Sequence, residues 1–525
     1  MTTAHIGDII IKTGKNGERG LIVSDFKIAP IFSDGMVLQR GKNINVFGTG
    51  VDGERVNVSF EGDTASAVVR NGEWRAVLPP KEKGENLAMT VSCGGVSRTF
   101  TDIVMGEVWL AGGQSNMEFE LQNCKGGADC LKNDNTTNVR FYYTPKICKA
   151  EPAYEEKMSE SGWSKFGAES AKCWSAVGYF FAKELADKLG CTVGIIGCNW
   201  GGTKASQWMS LESQIKDEDM RFDWEEYCNN IAGKTEEELT KEYRDYEQYS
   251  IDWNKRVEAV YKENPMTDWG DCLKICGECR YPGPLTPLNP FHATALYKSM
   301  IKRVCPYTLK GFIYYQGESD DNRPFAYYKL LRGLITLWRE DWGDESLPFI
   351  IAQLPMHRYK GDSDMKNWCI IREAQEKAFH TIKNTGLAVI IDCGEFNEIH
   401  PKDKIPVGHR MYLQALYTAY GDKNPDYCAP LYKSHIAKDG GIEVSFFNAV
   451  GFELRGEKCG FEIAGADGEY KPADFEIRGD KIFVFSREVS EPLNVRYLWT
   501  NYGEVTLYGA NGLPAAPFRT DRKES

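Results

Sequence analysis

The chain has 525 residues, too many for one compact core, so two or three domains are expected. Its 42% hydrophobic and 26% charged residues are ordinary for a soluble globular protein, and 63 basic against 75 acidic residues leave a net charge of −12. An acidic balance without a basic block argues against nucleic acid or anionic membranes as partners, and no run approaches the ~20 apolar residues of a membrane span.

Residues 1–20 lack the basic segment and long apolar core of a secretory leader, so a cytoplasmic protein is expected. Its sixteen cysteines are then expected to be reduced. Most stand singly in apolar stretches, as Cys173, Cys191, Cys198, Cys369 and Cys393 do, and read as core thiols. Cys272, Cys276 and Cys279 are close enough to share a zinc ion, but a structural zinc takes four ligands and no fourth is evident nearby. No metal site is assigned to them.

Residues 1–105 read as β throughout. Short alternating runs at Asn45–Phe47, Val56–Phe60, Trp74–Leu78 and Met89–Ser92 are separated by Gly, Asp and Asn turns, the spacing of a small β-sandwich. From residue 106 to about 424, strand-like and helical runs alternate, which predicts a parallel sheet covered by helices. Strands are predicted at Val108–Ala111, Cys191–Cys198, Gly311–Tyr315, Phe349–Leu354 and Leu387–Asp392, and helices at Ala176–Leu185 and Lys404–Tyr420. Residues 211–285 interrupt that alternation. They are rich in Glu, Lys, Tyr and Trp, leave through Tyr281–Pro284, and read as a helical insertion, either a lid or a solvated helical pair. Residues 425–525 return to short strands at Ile442–Phe446, Ile482–Phe485 and Val495–Trp499, a second β region.

Three predicted strands run into turns with chemical potential. The first leads to Gly112, Gly113, Gln114, Ser115 and Asn116; the second to Trp200, Gly201, Gly202 and Thr203; the third to Gln316, Gly317 and Glu318. Carboxyl ends of parallel strands lie on one edge of the sheet, so Ser115, the Gly201–Gly202 turn and Gln316 can share a crevice. Acyl transfer needs such a set: a serine activated by a base, and fixed N–H donors for the oxyanion. Alone, Ser115 reads as readily as a helix cap. The base is sought among seven histidines. His5 lies in the irregular start, His357 and His380 in polar or helical context, His435 in the C-terminal β region and His409 inside a helix. His292 precedes a helix, where it would suit a pocket. His400 stands in the loop Asp392–Pro401 after the last strand, from which it can swing over the serine. Without Ser115 in view it would read as a structural histidine.

The stretches GEVWLAGGQSNMEFEL, SAVGYFFAKEL, VGIIGCNWGGTKASQW, YYQGESD, LPFIIAQLP, REAQ and IHPKDKIPVGHRM resemble the sialate O-acetylesterase family, SGNH-type serine esterases that remove acetyl groups from sugars. APIFSDGMVLQRGKNINVFGTG and GLPAAPFRTD are similar to that family's flanking regions, so the likeness covers almost the whole chain. It implies an α/β fold: an SGNH-hydrolase three-layer α/β/α domain with a parallel sheet, flanked by β-sandwich-like N- and C-terminal regions. It also implies Ser115 as nucleophile, His400 as base and then acid, and an oxyanion hole of Gly202 and Gln316 with the Ser115 amide. The third member stays open. SGNH esterases commonly place Asp three residues before the histidine, where this chain has Asn397. Glu398 matches the acid the family often shows two residues before it; Asp392 and a backbone carbonyl are the alternatives. The family also usually carries Glu two residues before the tryptophan of the second turn, where this chain has Ser206. Trp200, Trp208 and Tyr315 are candidates for stacking on a sugar, with Trp208 the most core-like.

The expected function is O-deacetylation of a small O-acetylated sugar or oligosaccharide, with no metal or organic cofactor. Acetylxylan or another acetylated glycan is the near alternative substrate. The distant alternative is a non-catalytic glycan-binding protein on an esterase fold, favoured by Asn397 and Ser206 and disfavoured by Ser115, His400 and Gln316 occurring together.

Overall fold

A strand buried on both faces needs neighbours on both edges and helices above and below. The chain supplies several in its centre. In the computed structural model, which describes residues 9–13, 19–23, 26–133, 138–148, 161–264, 266–457 and 459–521, they form the seven-stranded central run of a larger sheet. His5 lies outside the described residues. The strands are β1 (Val96–Gly113), β2 (Val139–Tyr143), β3 (Trp163–Lys165), β4 (Val193–Asn199), β5 (Gly311–Tyr315), β6 (Phe349–Gln353) and β7 (Thr385–Val389). Their order is β3-β2-β4-β1-β5-β6-β7, and every neighbouring pair is parallel except β2 with β3. The next strand in space on one side of β1 is β4, and on the other β5. That reversal opens a crevice beyond the carboxyl end of β1, where an open α/β sheet binds its ligands.

Helices α1 (Ser115–Glu118), α2 (Ala176–Leu189), α4 (Tyr327–Trp342), α5 (Asn367–Thr381) and α6 (Ile405–Ala419) lie against the sheet, while α3 (Glu236–Glu263) belongs to the insertion between β4 and β5. Local signals set their ends. Ser175 caps α2 by accepting the Gly178 amide at 2.9 Å, and Gly190 ends it in the left-handed region at φ 60°. Trp109 of β1 packs edge-on against Phe181 of α2, and α6 packs beside α2. Phe312 and Tyr314 of β5 meet Trp338 of α4, which packs on α5. The structure is thus mixed α/β, with its core along this sheet.

β1 is the spine of the N-terminal half. Its first residues pair antiparallel with Leu87–Cys93, the register shifts between Phe100 and Ile103, and the same strand then enters the central sheet. The strands before it alternate inward and outward: Arg55–Phe60 and Glu73–Leu78 bury every second side chain. Among the described residues the C-terminal strands form two four-stranded sheets, one containing Gly441–Phe447 and Lys481–Phe485, the other Phe461–Ala464 and Asn494–Tyr497, and a two-stranded pair of Phe452–Leu454 with Leu507–Gly509. They brace α5, whose buried Arg372 donates to the carbonyl of Thr500 at 2.6 Å.

Residues 211–285 are helical, and Thr235 and Glu238 form a reciprocal capping box at the start of α3. Trp253, Cys272 and Cys276 make a small apolar core of their own there, with the two sulfurs 3.9 Å apart. Among the described residues the cysteines are not joined in disulfides. Among the described residues, no cluster of three or more His, Cys, Asp or Glu is placed to hold a metal ion, and no helix is long and apolar enough to cross a membrane.

Candidate active site

The site begins where β1 has to turn beside β5. A Cβ on Gly113, at φ 141°, would stand 2.1 Å from the Tyr315 carbonyl oxygen, so only glycine lets the two strand ends approach. Gln114 occupies the cap position of α1, and Ser115 is the first helical residue. Ser115 is therefore not the helix cap. Its Oγ instead lies 2.8 Å from His400 Nε2.

His400 reaches the serine from the loop after β7. Glu398 Oε1 accepts the His400 backbone amide at 2.8 Å and stands 4.0 Å from Nδ1, beyond hydrogen-bonding distance. Glu398 thus holds the loop and sets a negative charge beside the ring. Burial pushes His400 below its ordinary value of 6.5 and outweighs the opposing pull of Glu398, so the imidazole is neutral at pH 7 and able to accept a proton. Asp392 is engaged elsewhere: Arg410 grips both its oxygens and Tyr508 donates to it at 3.2 Å. Asn397 sits at φ 65°, and its Oδ1 accepts the Lys360 amide at 3.1 Å. The local turn accounts for an asparagine there, because Asn tolerates the left-handed region better than most residues.

The glycine turn after β4 lies against the serine. A Cβ on Gly201 would be 3.2 Å from Ser115 Cβ, and the Gly201 amide donates to Glu118 Oε2 at 2.7 Å. Gly202 follows at φ 76°. Among the described residues no acceptor takes the backbone N–H of Ser115 or of Gly202. Gln316 differs from its expected place as a donor to the reacting group. It is fully buried, and its Nε2 donates to Asp320, to the Thr203 carbonyl at 3.1 Å and to Gln114 Oε1 at 3.3 Å. Its Oε1 accepts from Tyr314 and Tyr327. With its N–H groups directed at protein acceptors, Gln316 ties the turns after β1 and β4 to β5. Ser115, His400 and the Gly201–Gly202 turn come together, Glu398 stands beside them and Gln316 lies behind.

A family model described as "Carbohydrate esterase, sialic acid-specific acetylesterase" matches residues 286–411, the segment that contains β5, β6, β7 and His400. The chain is 25% identical to the sialate O-acetylesterase of Mus musculus over 543 residues, covering 94% of each chain. To that of Homo sapiens it is 25% identical over 547 residues, covering 94% of this chain and 92% of the relative. A carbohydrate acetylesterase from Xanthomonas citri superimposes with a TM-score of 0.75 at 29% identity, covering 94% of this chain and 99% of that one. The chain is similar over nearly its whole length to this family of carbohydrate esterases.

Three further residues tie the site together, and none was singled out from the sequence, although all stand within the motifs that carry the family likeness. Asn116 Nδ2 donates to Glu318 Oε1 at 2.7 Å and to the Ile399 carbonyl at 2.9 Å, while its Oδ1 accepts from Lys404 Nζ. All three side chains are buried, and burial brings the Lys404 ammonium down to about 8.

At Ser206, where a family member usually has glutamate, a carboxylate arrives from the insertion instead. Asp223 accepts from Ser206 Oγ at 2.7 Å and from Lys204 Nζ at 2.9 Å. Of the three aromatics considered for sugar stacking, Trp208 and Tyr315 are buried core residues, and Trp200 is half-buried beneath Lys146. His292 stacks on Tyr227 at 4.3 Å, and burial there pushes it to about 4. His409 pairs with Glu184, and His435 bonds Tyr432.

Proposed function

We propose that this chain is a carbohydrate O-acetylesterase that releases acetate from O-acetylated sialic acid through a serine acetyl-enzyme on an SGNH-type three-layer α/β/α domain. The 2.8 Å approach of Ser115 Oγ to a neutral His400 Nε2 carries the reading. Packing of α2 against β1 on one side of the sheet and of α4 against β5 supports the layered arrangement.

Ser115 Oγ attacks the acetyl carbonyl carbon as its proton passes to His400 Nε2. The carbonyl oxygen becomes an oxyanion, which the free amides of Ser115 and Gly202 receive. The tetrahedral intermediate collapses, the bond from carbon to the sugar oxygen breaks, and His400 returns its proton to that oxygen. Water then adds to the acetyl-enzyme with His400 again taking a proton, and acetate leaves as Ser115 is restored. Glu398 stabilises the imidazolium through its charge at 4.0 Å. General base catalysis contributes roughly 10²–10⁴-fold and each oxyanion donor roughly 10²–10³-fold. Cysteines not joined in disulfides support a reducing compartment for the protein.

The substrate is tested by measuring acetate release from O-acetylated sialic acid beside acetylated xylo-oligosaccharides and acetylated neutral monosaccharides. Preference for the sialic acid in kcat/KM is expected. Equal or better turnover of acetylated xylose would reassign the sugar while leaving the chemistry in place.

A further inference from the structure

The backbone of the glycine turn after β4 is held at several points, three of them around its two glycines. The Gly201 amide is held by Glu118, the Trp200 carbonyl by the Thr203 hydroxyl at 2.7 Å, and the Gly202 carbonyl by Tyr281 Oη at 3.1 Å. The first two are local to the turn and to α1. Tyr281 comes from the far end of the 211–285 insertion. We infer that Tyr281 is a positioning residue: its hydroxyl fixes the Gly202 carbonyl and thereby keeps the neighbouring Gly202 N–H aimed at the oxyanion. This rests on the reading of Gly202 as an oxyanion donor.

The turn needs such a hold. Gly202 stands at φ 76°, which only glycine adopts freely, and glycine has the widest choice of alternatives when nothing restrains it. The fit is close: a Cβ on Gly202 would fall 1.9 Å from Tyr281 Oη. Tyr281 is itself well anchored. Its ring meets Phe291 edge-on at 5.0 Å, and the Phe291 carbonyl accepts from Gln207 at 2.7 Å. Asn289 Nδ2 donates to the carbonyls of Pro282 and Pro284, both at 2.9 Å, and Gly283 packs beneath Tyr246 of α3. Burial raises the Tyr281 hydroxyl above its usual 10, so it remains a donor across the working pH range. The insertion is on this account a structural part of the catalytic turn, neither a separate helical pair nor a freely swinging cover.

The test is Tyr281→Phe, which keeps the ring on Phe291 and removes only the hydroxyl. Tyr281 is 54% exposed as a residue, with its hydroxyl end tucked against Gly202. With 4-nitrophenyl acetate, kcat is expected to fall about three- to tenfold, the kinetic equivalent of one net hydrogen bond, with KM unchanged. The rate of inactivation by an alkyl phosphonofluoridate, whose serine adduct places an oxygen in the oxyanion position, should fall by the same factor. A Tyr281 that only docks the insertion would alter KM or thermal stability and leave that rate alone. Unchanged kcat and inactivation rate in Tyr281→Phe, with Ser115→Ala inactive, would overturn the inference alone. Activity retained by Ser115→Ala would instead overturn the assignment of the site itself.

Discussion

The side-chain amide of Asn116 donates to the carbonyl of Ile399 at 2.9 Å, so the residue after Ser115 holds the residue before His400. The bond sets the distance between nucleophile and base from behind, and Asn116 also pairs with Glu318 and Lys404 in a buried network. Asn116→Ala leaves both charged groups short of a partner. The expected cost is about 1–3 kcal/mol of stability, read by chemical unfolding. At temperatures where the variant is folded, kcat should fall more than about tenfold, because misplacing a base by an ångström costs up to about a hundredfold.

Glu398 separates two accounts of the third member. A hydrogen-bonded triad acid replaced by its amide would lower kcat by about 10⁴. At 4.0 Å from Nδ1, Glu398 acts through charge, so Glu398→Gln should lower kcat at pH 8 by less than about tenfold while its amide oxygen still accepts the His400 N–H. The pH dependence adds a sign. His400 works as the neutral ring, so kcat/KM rises with pH through an acid limb whose midpoint lies below 6.5. Glu398 raises the His400 pKa, so removing its charge moves that limb to lower pH. A limb that moves upward in Glu398→Gln would contradict this.

Asp320 should make stability fall as pH rises. It is buried behind Gln316, and burial pushes its carboxyl up to about 7 from an unfolded value near 3.8. Between those values the folded state holds a proton that the unfolded chain releases. The stabilisation is complete below about pH 4 and is lost as pH rises through 7. Asp320→Asn keeps an acceptor for Gln316 and Ala205 while abolishing the titration. Chemical unfolding from pH 4 to 8 should show a flatter slope in the variant, which at pH 8 gains on the order of 1–3 kcal/mol relative to its pH 4 difference.

Ser206 and Asp223 form a complementary pair across the base of the insertion. Restoring the family's usual glutamate as Ser206→Glu adds volume and a second carboxylate at a fully buried position. A loss of about 1–3 kcal/mol is expected from overpacking alone. Adding Asp223→Ser should recover part of it, and thermal unfolding of the single and double variants checks the coupling.

Strands that are apolar throughout, such as β4 and β5, were legible because no other element buries both faces over so short a run. The helical runs of α2 and α6 were likewise legible. The change of pairing along β1, from the N-terminal strands up to Gly106 to the central sheet from Glu107, falls where the sequence pattern changes, but that one unbroken strand crosses it was not legible. Ser115 and His400 could be paired because few histidines compete and strand ends converge on one edge. The internal partners of Gln316 were not legible, because an amide at a strand end looks like a free donor until Asp320 and the Thr203 carbonyl, 113 residues away, are placed beside it. Asn116 and Lys404 were hidden for the same reason, since their partners lie 283 and 288 residues away. Tyr281 was visible only as part of a Pro-rich exit, and nothing local to it points to Gly202.

The most direct test of the serine mechanism is acetate release from 4-nitrophenyl acetate and from O-acetylated sialic acid by the native protein, Ser115→Ala and His400→Ala. The expected result is turnover by the native protein and a loss of at least about a hundredfold in each variant. Activity unaffected by Ser115→Ala, or a native protein that turns over neither ester, would contradict it.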